Sequence, residues 1–88
     1  MADWHPLLAA REIEPGHWFM LDGLGEPYGE VRMVRRGGEV GYRADRCDAR
    51  GEQPVRIGYF LTLRRATAEI HADFIRAHGA PASRVYGR

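Results

Sequence analysis

The clearest pattern of hydrophobic and polar positions runs from residue 55 to residue 79. Residues 55–60, VRIGYF, alternate between apolar and polar side chains, as a half-buried strand does. Apolar and small residues then recur at helical spacing on one face, namely Leu63, Ala66, Thr67, Ile70, Phe74 and Ala77. The segment therefore predicts a strand followed by an amphipathic helix. The apolar face of this helix, centred on Ile70 and Phe74, is expected to form the core of the domain.

The ends of this helix carry their own signals. Thr62 can accept a hydrogen bond from an otherwise unpaired backbone N–H of the first turn. Gly79 can adopt the left-handed conformation that ends helices, and Pro81 prevents continuation. We therefore predict a strand over 54–60 and a helix over 63–78.

Three stretches upstream have the apolar content of strands: 17–22, 28–36 and 39–47. Gly37-Gly38 is the strongest hairpin signal, because two glycines permit the positive φ angles of a tight turn. The pattern predicts an α+β fold, in which a four-stranded antiparallel meander is packed on one C-terminal α-helix.

The two ends of the chain are less regular. Residues 3–14 show no clear periodicity beyond one or two helical turns, and residues 80–88 are expected to form a frayed tail. No linker separates one part of the chain from another, so residues 1–88 are expected to form a single small domain.

A two-residue turn at Gly37-Gly38 fixes the hairpin register. Met33 then faces Tyr42, and Arg32 faces Arg43. One face of the hairpin carries the predicted core residues Val31, Met33, Val40, Tyr42 and Ala44. The other carries Glu30, Arg32, Arg36, Glu39, Arg43 and Asp45.

Arg56 on the fourth strand is expected to extend the row begun by Arg32 and Arg43, with all three side chains exposed. Two Arg residues opposite each other repel, so one interpretation is that the row meets an anion such as a nucleic-acid backbone. The other interpretation is diagonal ion pairing of Arg32 with Asp45 and of Arg43 with Glu30, which would leave an ordinary solvated face.

Arg64 and Arg65 occupy the first helical turn, where the helix dipole favours negative charge. They could capture a phosphate with the help of free backbone N–H groups. Alternatively, Arg65 pairs with Glu69 one turn later and Arg64 is solvated.

Charge is distributed unevenly along the chain. The net charge is −4 over residues 1–27, +4 over residues 28–65 and +1 over residues 66–88. All 13 basic residues are Arg, a bias typical of a GC-rich genome, and Arg binds phosphate in a bidentate way that Lys cannot. We therefore expect the predicted sheet and the start of the helix to form a moderately basic surface that could face an anion.

No apolar run approaches the roughly 20 residues that span a bilayer. The first six residues lack the basic and apolar regions of a signal peptide. A single cysteine, Cys47, suits a reducing compartment. We therefore expect a cytoplasmic location and no membrane partner.

Candidate chemistry is sparse. His71 and His78 lie two helical turns apart, and Cys47 has no C-x-x-C partner, so neither a metal nor a cofactor is predicted. No nucleophile–base pair or glycine-rich phosphate loop is present, and His5 and His17 are expected to be structural or exposed. The sequence predicts a protein that is not an enzyme and has no catalytic residues.

Residues 28–74 resemble AP2-type DNA-binding domains and the arm-binding domains of phage-type integrases. The matching residues are Tyr28, Val31, Arg32, Ala66, Ala68 and the run Ile57-Gly58-Tyr59-Phe60-Leu61-Thr62. The run is similar to the family's Leu-Gly-x-Phe-x-Thr, which precedes a helix with small residues. The resemblance implies a three-stranded sheet packed on one C-terminal helix and contact with DNA, although Arg64-Arg65 replaces the family's acidic helix start.

Together these observations predict a non-enzymatic module that binds DNA or RNA through one face of its sheet. The predicted contact residues are Arg32, Arg36, Arg43, Arg56 and Arg64. The alternative is a protein-interaction or self-associating module, in which the strand containing residues 18–20 pairs with a protein partner or with a second copy in a homodimer.

Overall fold

The structure is a computed structural model that describes residues 4–47 and 53–78. A short 3₁₀ turn, Pro6–Ala9, leads into five strands and one helix. The strands are β1 (Ala10–Glu14), β2 (His17–Leu21), β3 (Pro27–Arg36), β4 (Glu39–Arg46) and β5 (Val55–Phe60), and the helix is α1 (Leu63–His78). The strands form one antiparallel sheet in the order β1-β2-β3-β4-β5.

The antiparallel α+β architecture is confirmed, with one correction: the sheet has five strands, where the sequence predicted four. The additional strand is β1, which forms a hairpin with β2 through Pro15-Gly16. Gly16 adopts the φ of 80° that this turn requires. Four of the five β1 residues are exposed, so the strand has no buried face that would produce an alternating pattern.

The β3–β4 hairpin has the predicted register, with Met33 opposite Tyr42 and Arg32 opposite Arg43. Gly37 and Gly38 supply the turn with φ angles of 57° and 86°. Because side chains alternate between the two faces of a strand, this register places Arg32 and Arg43 on the face of the sheet opposite α1.

The predicted row of three arginines is wrong at its third member. The β4–β5 pairing places Gly58 opposite Ala44 and Arg56 opposite Asp45, so Ile57 is an additional residue that forms a β-bulge. The bulge shifts the register by one residue. In the register that β5 adopts, Tyr59 rather than Arg56 lies opposite Arg43.

The core lies between the sheet and α1, and its fully buried residues are Met20, Val31, Ala44, Ala66, Thr67 and Ile70. Gly29 makes the close approach of helix and sheet possible, since a Cβ at this position would overlap Cγ2 of Ile70. Met33 was expected in the core but is 41% exposed, because it lies near the β3–β4 turn rather than in the cluster centred on Ile70.

Phe74 is only half-buried and packs at the margin of this core. Its ring lies 4.3 Å from the ring of Tyr28, which belongs to a second bulge where β2 pairs with β3. Burial, together with the nearby charge of Asp22, raises the pKa of the Tyr28 phenol above its usual value. The neutral hydroxyl lies 3.2 Å from Nδ1 of His71 on α1.

The predicted helix cap is present: the Arg65 backbone N–H donates a hydrogen bond to Thr62 Oγ1 over 3.1 Å. We expect Thr62→Ala to lower the free energy of unfolding by about 1 kcal/mol, because this donor then has no protein acceptor. Urea denaturation measures the loss. Thr62→Ser retains the hydroxyl and should behave like the original protein, whereas equal stability of the Ala variant would show that the cap does not hold α1.

Candidate nucleic-acid interface

The sheet face opposite α1, called here the open face, carries a cluster of charged and aromatic side chains. Four strands contribute its residues, which are His17, Phe19, Glu30, Arg32, Arg43, Asp45, Arg56 and Tyr59. Two rows cross the sheet: His17, Arg32, Arg43 and Tyr59 form one, and Phe19, Glu30, Asp45 and Arg56 form the other. The register therefore places Arg32 and Arg43 in the row next to Glu30 and Asp45, whereas Arg56 lies in the same row as the two acids.

Two carboxylates at the centre of the open face are buried although no helix covers them. The side chain of Glu30 is 11% exposed and that of Asp45 is 6% exposed. Glu30 Oε2 lies 2.5 Å from Nε2 of His17, which is itself buried. The same oxygen accepts a hydrogen bond of 3.2 Å from Arg32 Nε.

Asp45 interacts with two arginines. Its Oδ1 accepts a hydrogen bond of 2.8 Å from Arg56 Nε, and its Oδ2 lies 3.4 Å from Arg43 Nε. The contact with Arg43 has ion-pair distance without hydrogen-bond geometry, and Arg43 Nε is buried with no acceptor in the described part of the chain. Asp45 is therefore neutralised from both sides.

The diagonal pairs expected from the sequence, Arg32 with Asp45 and Arg43 with Glu30, are replaced by other pairs. Arg32 and Arg43 each pair with the acid two positions away on their own strand. Each of these arginines therefore has an acid of its own strand beside it, although the register places Arg32 opposite Arg43.

All three arginines contact their carboxylates through Nε. Arg56 also uses an Nη group to donate a hydrogen bond of 3.0 Å to the Tyr59 hydroxyl. The side chains of Arg32 and Arg56 are 46% and 48% exposed, as expected. The expectation that Arg43 is exposed as well is wrong, because its side chain is only 27% exposed. Solvent meets guanidinium groups above buried carboxylates.

Arg36 joins this cluster through Tyr59. The Cζ atoms of Arg36 and Arg56 lie 5.5 Å and 5.3 Å from the centre of the Tyr59 ring, a distance typical of cation–π contacts. Tyr59 is 50% exposed, so it presents an aromatic surface between two cations.

Arg64 is not part of this cluster. It lies in the first turn of α1, on the helix side of the sheet. The pKa of His5 is lowered mainly by desolvation and, to a smaller extent, by the positive charge of Arg64. Arg65 pairs with Glu69 at 3.0 Å, as one of the two sequence interpretations expected. The structure thus brings together four of the five predicted contact residues.

Nothing in the sequence indicated that Glu30, Asp45 and His17 are buried or that Tyr59 lies between two arginines. The opposition of Arg32 and Arg43 was the one available signal, since like charges placed opposite each other require nearby compensation.

Within residues 4–47 and 53–78, no group of His, Cys, Asp and Glu could hold a metal ion. No helix in the same residues is long and apolar enough to cross a membrane.

Comparison with known proteins found no matching family model, no matching curated protein and no matching solved structure.

Proposed function

We propose that this chain is a non-enzymatic cytoplasmic module that binds the phosphate backbone of nucleic acid through its open face. One observation carries the proposal: the Nε atoms of Arg32 and Arg56 donate hydrogen bonds to buried carboxylates, and Arg43 Nε lies at ion-pair distance from one of them. Arg32 and Arg56 are thereby fixed through Nε, while their side chains remain 46% and 48% exposed. A phosphate oxygen could accept hydrogen bonds from the Nη groups of these arginines.

Fixing the arginines in advance favours binding, because less side-chain freedom is lost when a ligand docks. The acids that fix them are buried and the arginines are about half exposed, so an approaching phosphate meets the guanidinium groups first. Arg36 adds a cation that lies in no ion pair among the described residues.

The alternative interpretation required the strand around residues 18–20 to pair with a partner. Both edges of β2 are occupied, by β1 and by β3, and Met20 is fully buried. This geometry favours the open face over β2 as the interaction surface.

The proposal predicts that affinity for DNA or RNA falls steeply with salt. Binding releases counterions in proportion to the phosphates neutralised, so four arginine contacts give a log–log slope of about −3 to −4 on duplex DNA. Fluorescence anisotropy titrations at several salt concentrations measure the slope. A salt-insensitive protein that ignores both nucleic acids at concentrations on the order of 10 μM, yet self-associates in ultracentrifugation, would contradict the proposal.

A double variant separates local contact from overall charge. Arg32→Gln combined with Glu30→Gln removes one ion pair, leaves the net charge unchanged and keeps an amide beside His17. The slope should become shallower by about one. Arg65→Gln with Glu69→Gln removes a matched ion pair from α1 and should leave the slope unchanged.

A further inference from the structure

A pocket of about 170 Å³ opens where the β4–β5 pairing stops. Its lining includes Val34, Arg36, Glu39, Gly41, Tyr59 and Phe60. The last β4–β5 pair is Tyr42 with Phe60, so residues 39–41 extend beyond the end of β5. Gly41 has no side chain, and a Cβ at this position would lie 3.4 Å from the Phe60 carbonyl oxygen and 4.0 Å from Val34 Cγ2, so its absence leaves room between these lining residues.

The pocket combines apolar walls with two opposite charges. Val34 and Phe60 supply apolar surface, and the half-exposed ring of Tyr59 supplies an aromatic face. Arg36 and Glu39 are cross-strand partners, but among the described residues they form no ion pair with each other or with another group. A donor group and an acceptor group are therefore both available to a ligand.

We infer that this pocket binds an unpaired guanine base of single-stranded nucleic acid. The inference rests on the proposed function, because the open-face arginines would hold the phosphates on either side of the base. Tyr59 links the two regions, since its ring lines the pocket while its hydroxyl accepts a hydrogen bond from Arg56.

Guanine fits the two charges better than the other bases do. Its O6 and N7 atoms are acceptors for an Arg such as Arg36, the commonest specific contact in protein–DNA recognition. Its N1–H and N2–H groups are adjacent donors, and a carboxylate such as that of Glu39 can accept a hydrogen bond from each of them. Adenine has no N1–H, and cytosine and thymine present smaller rings.

The base must be unpaired for this contact. In a duplex the N1–H and N2–H groups of guanine are engaged with cytosine, and the ring is stacked between its neighbours. Single strands present both the face and the edges of each base, which aromatic side chains and polar groups can then contact.

The test uses the full chain and fluorescein-labelled thymidine oligonucleotides of about 12 nucleotides. The central position is guanine, adenine, cytosine or thymine. We expect the guanine oligonucleotide to bind about tenfold more tightly than the others, as expected for one well-formed base contact. A duplex that contains the same guanine should lose this preference.

Two variants assign the preference to the pocket. Glu39→Gln removes the carboxylate, and Gly41→Val fills the space, where a Cβ would make ordinary contact at 3.4 Å with the Phe60 carbonyl oxygen. Both should reduce the guanine preference to about twofold or less while the salt dependence remains. Glu26→Gln and Gly23→Val, in the exposed β2–β3 loop, are matched controls that should keep the preference.

The outcomes distinguish this inference from the proposed function. Salt-dependent binding that is equal for all four central bases, or a guanine preference that survives both pocket variants, would overturn the inference alone. Absence of binding to every oligonucleotide and duplex would overturn both.

Discussion

Ile70→Ala is expected to lower the free energy of unfolding by about 2–5 kcal/mol. Ile70 is 1% exposed and lies at the contact between α1 and β3. Truncation removes apolar contacts and leaves a cavity that the rigid strand cannot fill. Because small domains have only about 5–15 kcal/mol of stability, urea denaturation of this variant should show a large shift in midpoint.

A second substitution shows whether this loss arises at the contact with Gly29. Gly29→Ala alone should destabilise the fold, because its Cβ would overlap Cγ2 of Ile70. In Ile70→Ala that Cγ2 atom is absent, so the added methyl group has space. The double variant should therefore be more stable than the sum of the single effects by about 0.5–3 kcal/mol.

Ile75→Ala is the control, since Ile75 lies on the same helix and is 48% exposed. It should change stability by less than about 1 kcal/mol. Additive effects of Gly29→Ala and Ile70→Ala would show that α1 does not approach β3 at this point.

The sequence predicted the parts of the fold whose signals are local. The apolar stripe on α1 and the Thr62 cap lie within one segment, and Gly37-Gly38 sets the β3–β4 register by itself. These features depend on residues that are neighbours in the chain, so periodicity and turn chemistry are enough to identify them.

The features that were missed depend on residues far apart in the chain. β1 is exposed at four of five positions, so its pairing with β2 leaves no hydrophobic pattern. The pairing of β4 with β5 places Arg56 opposite Asp45 rather than Arg43, and it includes a bulge at Ile57 that no glycine or proline at position 57 indicates. The partner of Arg56 could therefore be identified only once the strands were paired.

The same limit applies to the candidate site. The sequence identified the arginines of the open face, but not that they cover Glu30 and Asp45. An acid on a strand face without a helix is usually solvated, and here its burial results from the packing of side chains on four strands. The consequence is that Arg43 and Arg56 serve stability as well as the proposed binding.

Removal of both partners of Asp45 is therefore expected to destabilise the fold strongly. In Arg43→Met with Arg56→Met, the Asp45 carboxylate, 6% exposed, would keep its charge without a guanidinium beside it. An uncompensated buried charge of this kind costs about 3–5 kcal/mol. Thermal and urea denaturation at neutral pH should both show the loss.

Two further variants decide whether the loss of stability comes from the unpaired charge of the buried Asp45 carboxylate. Arg35→Met with Arg64→Met makes the same change in net charge at two exposed residues that lie in no ion pair within the described residues, and should have little effect. Adding Asp45→Asn to the variant that lacks both arginine partners removes the buried charge and should recover a large part of the stability, because a neutral amide costs less to bury than a carboxylate. If Asp45→Asn recovers nothing, the arginines stabilise the sheet by packing their aliphatic stems rather than by neutralising Asp45. In that case the carboxylates would not be what fixes the guanidinium groups for a phosphate.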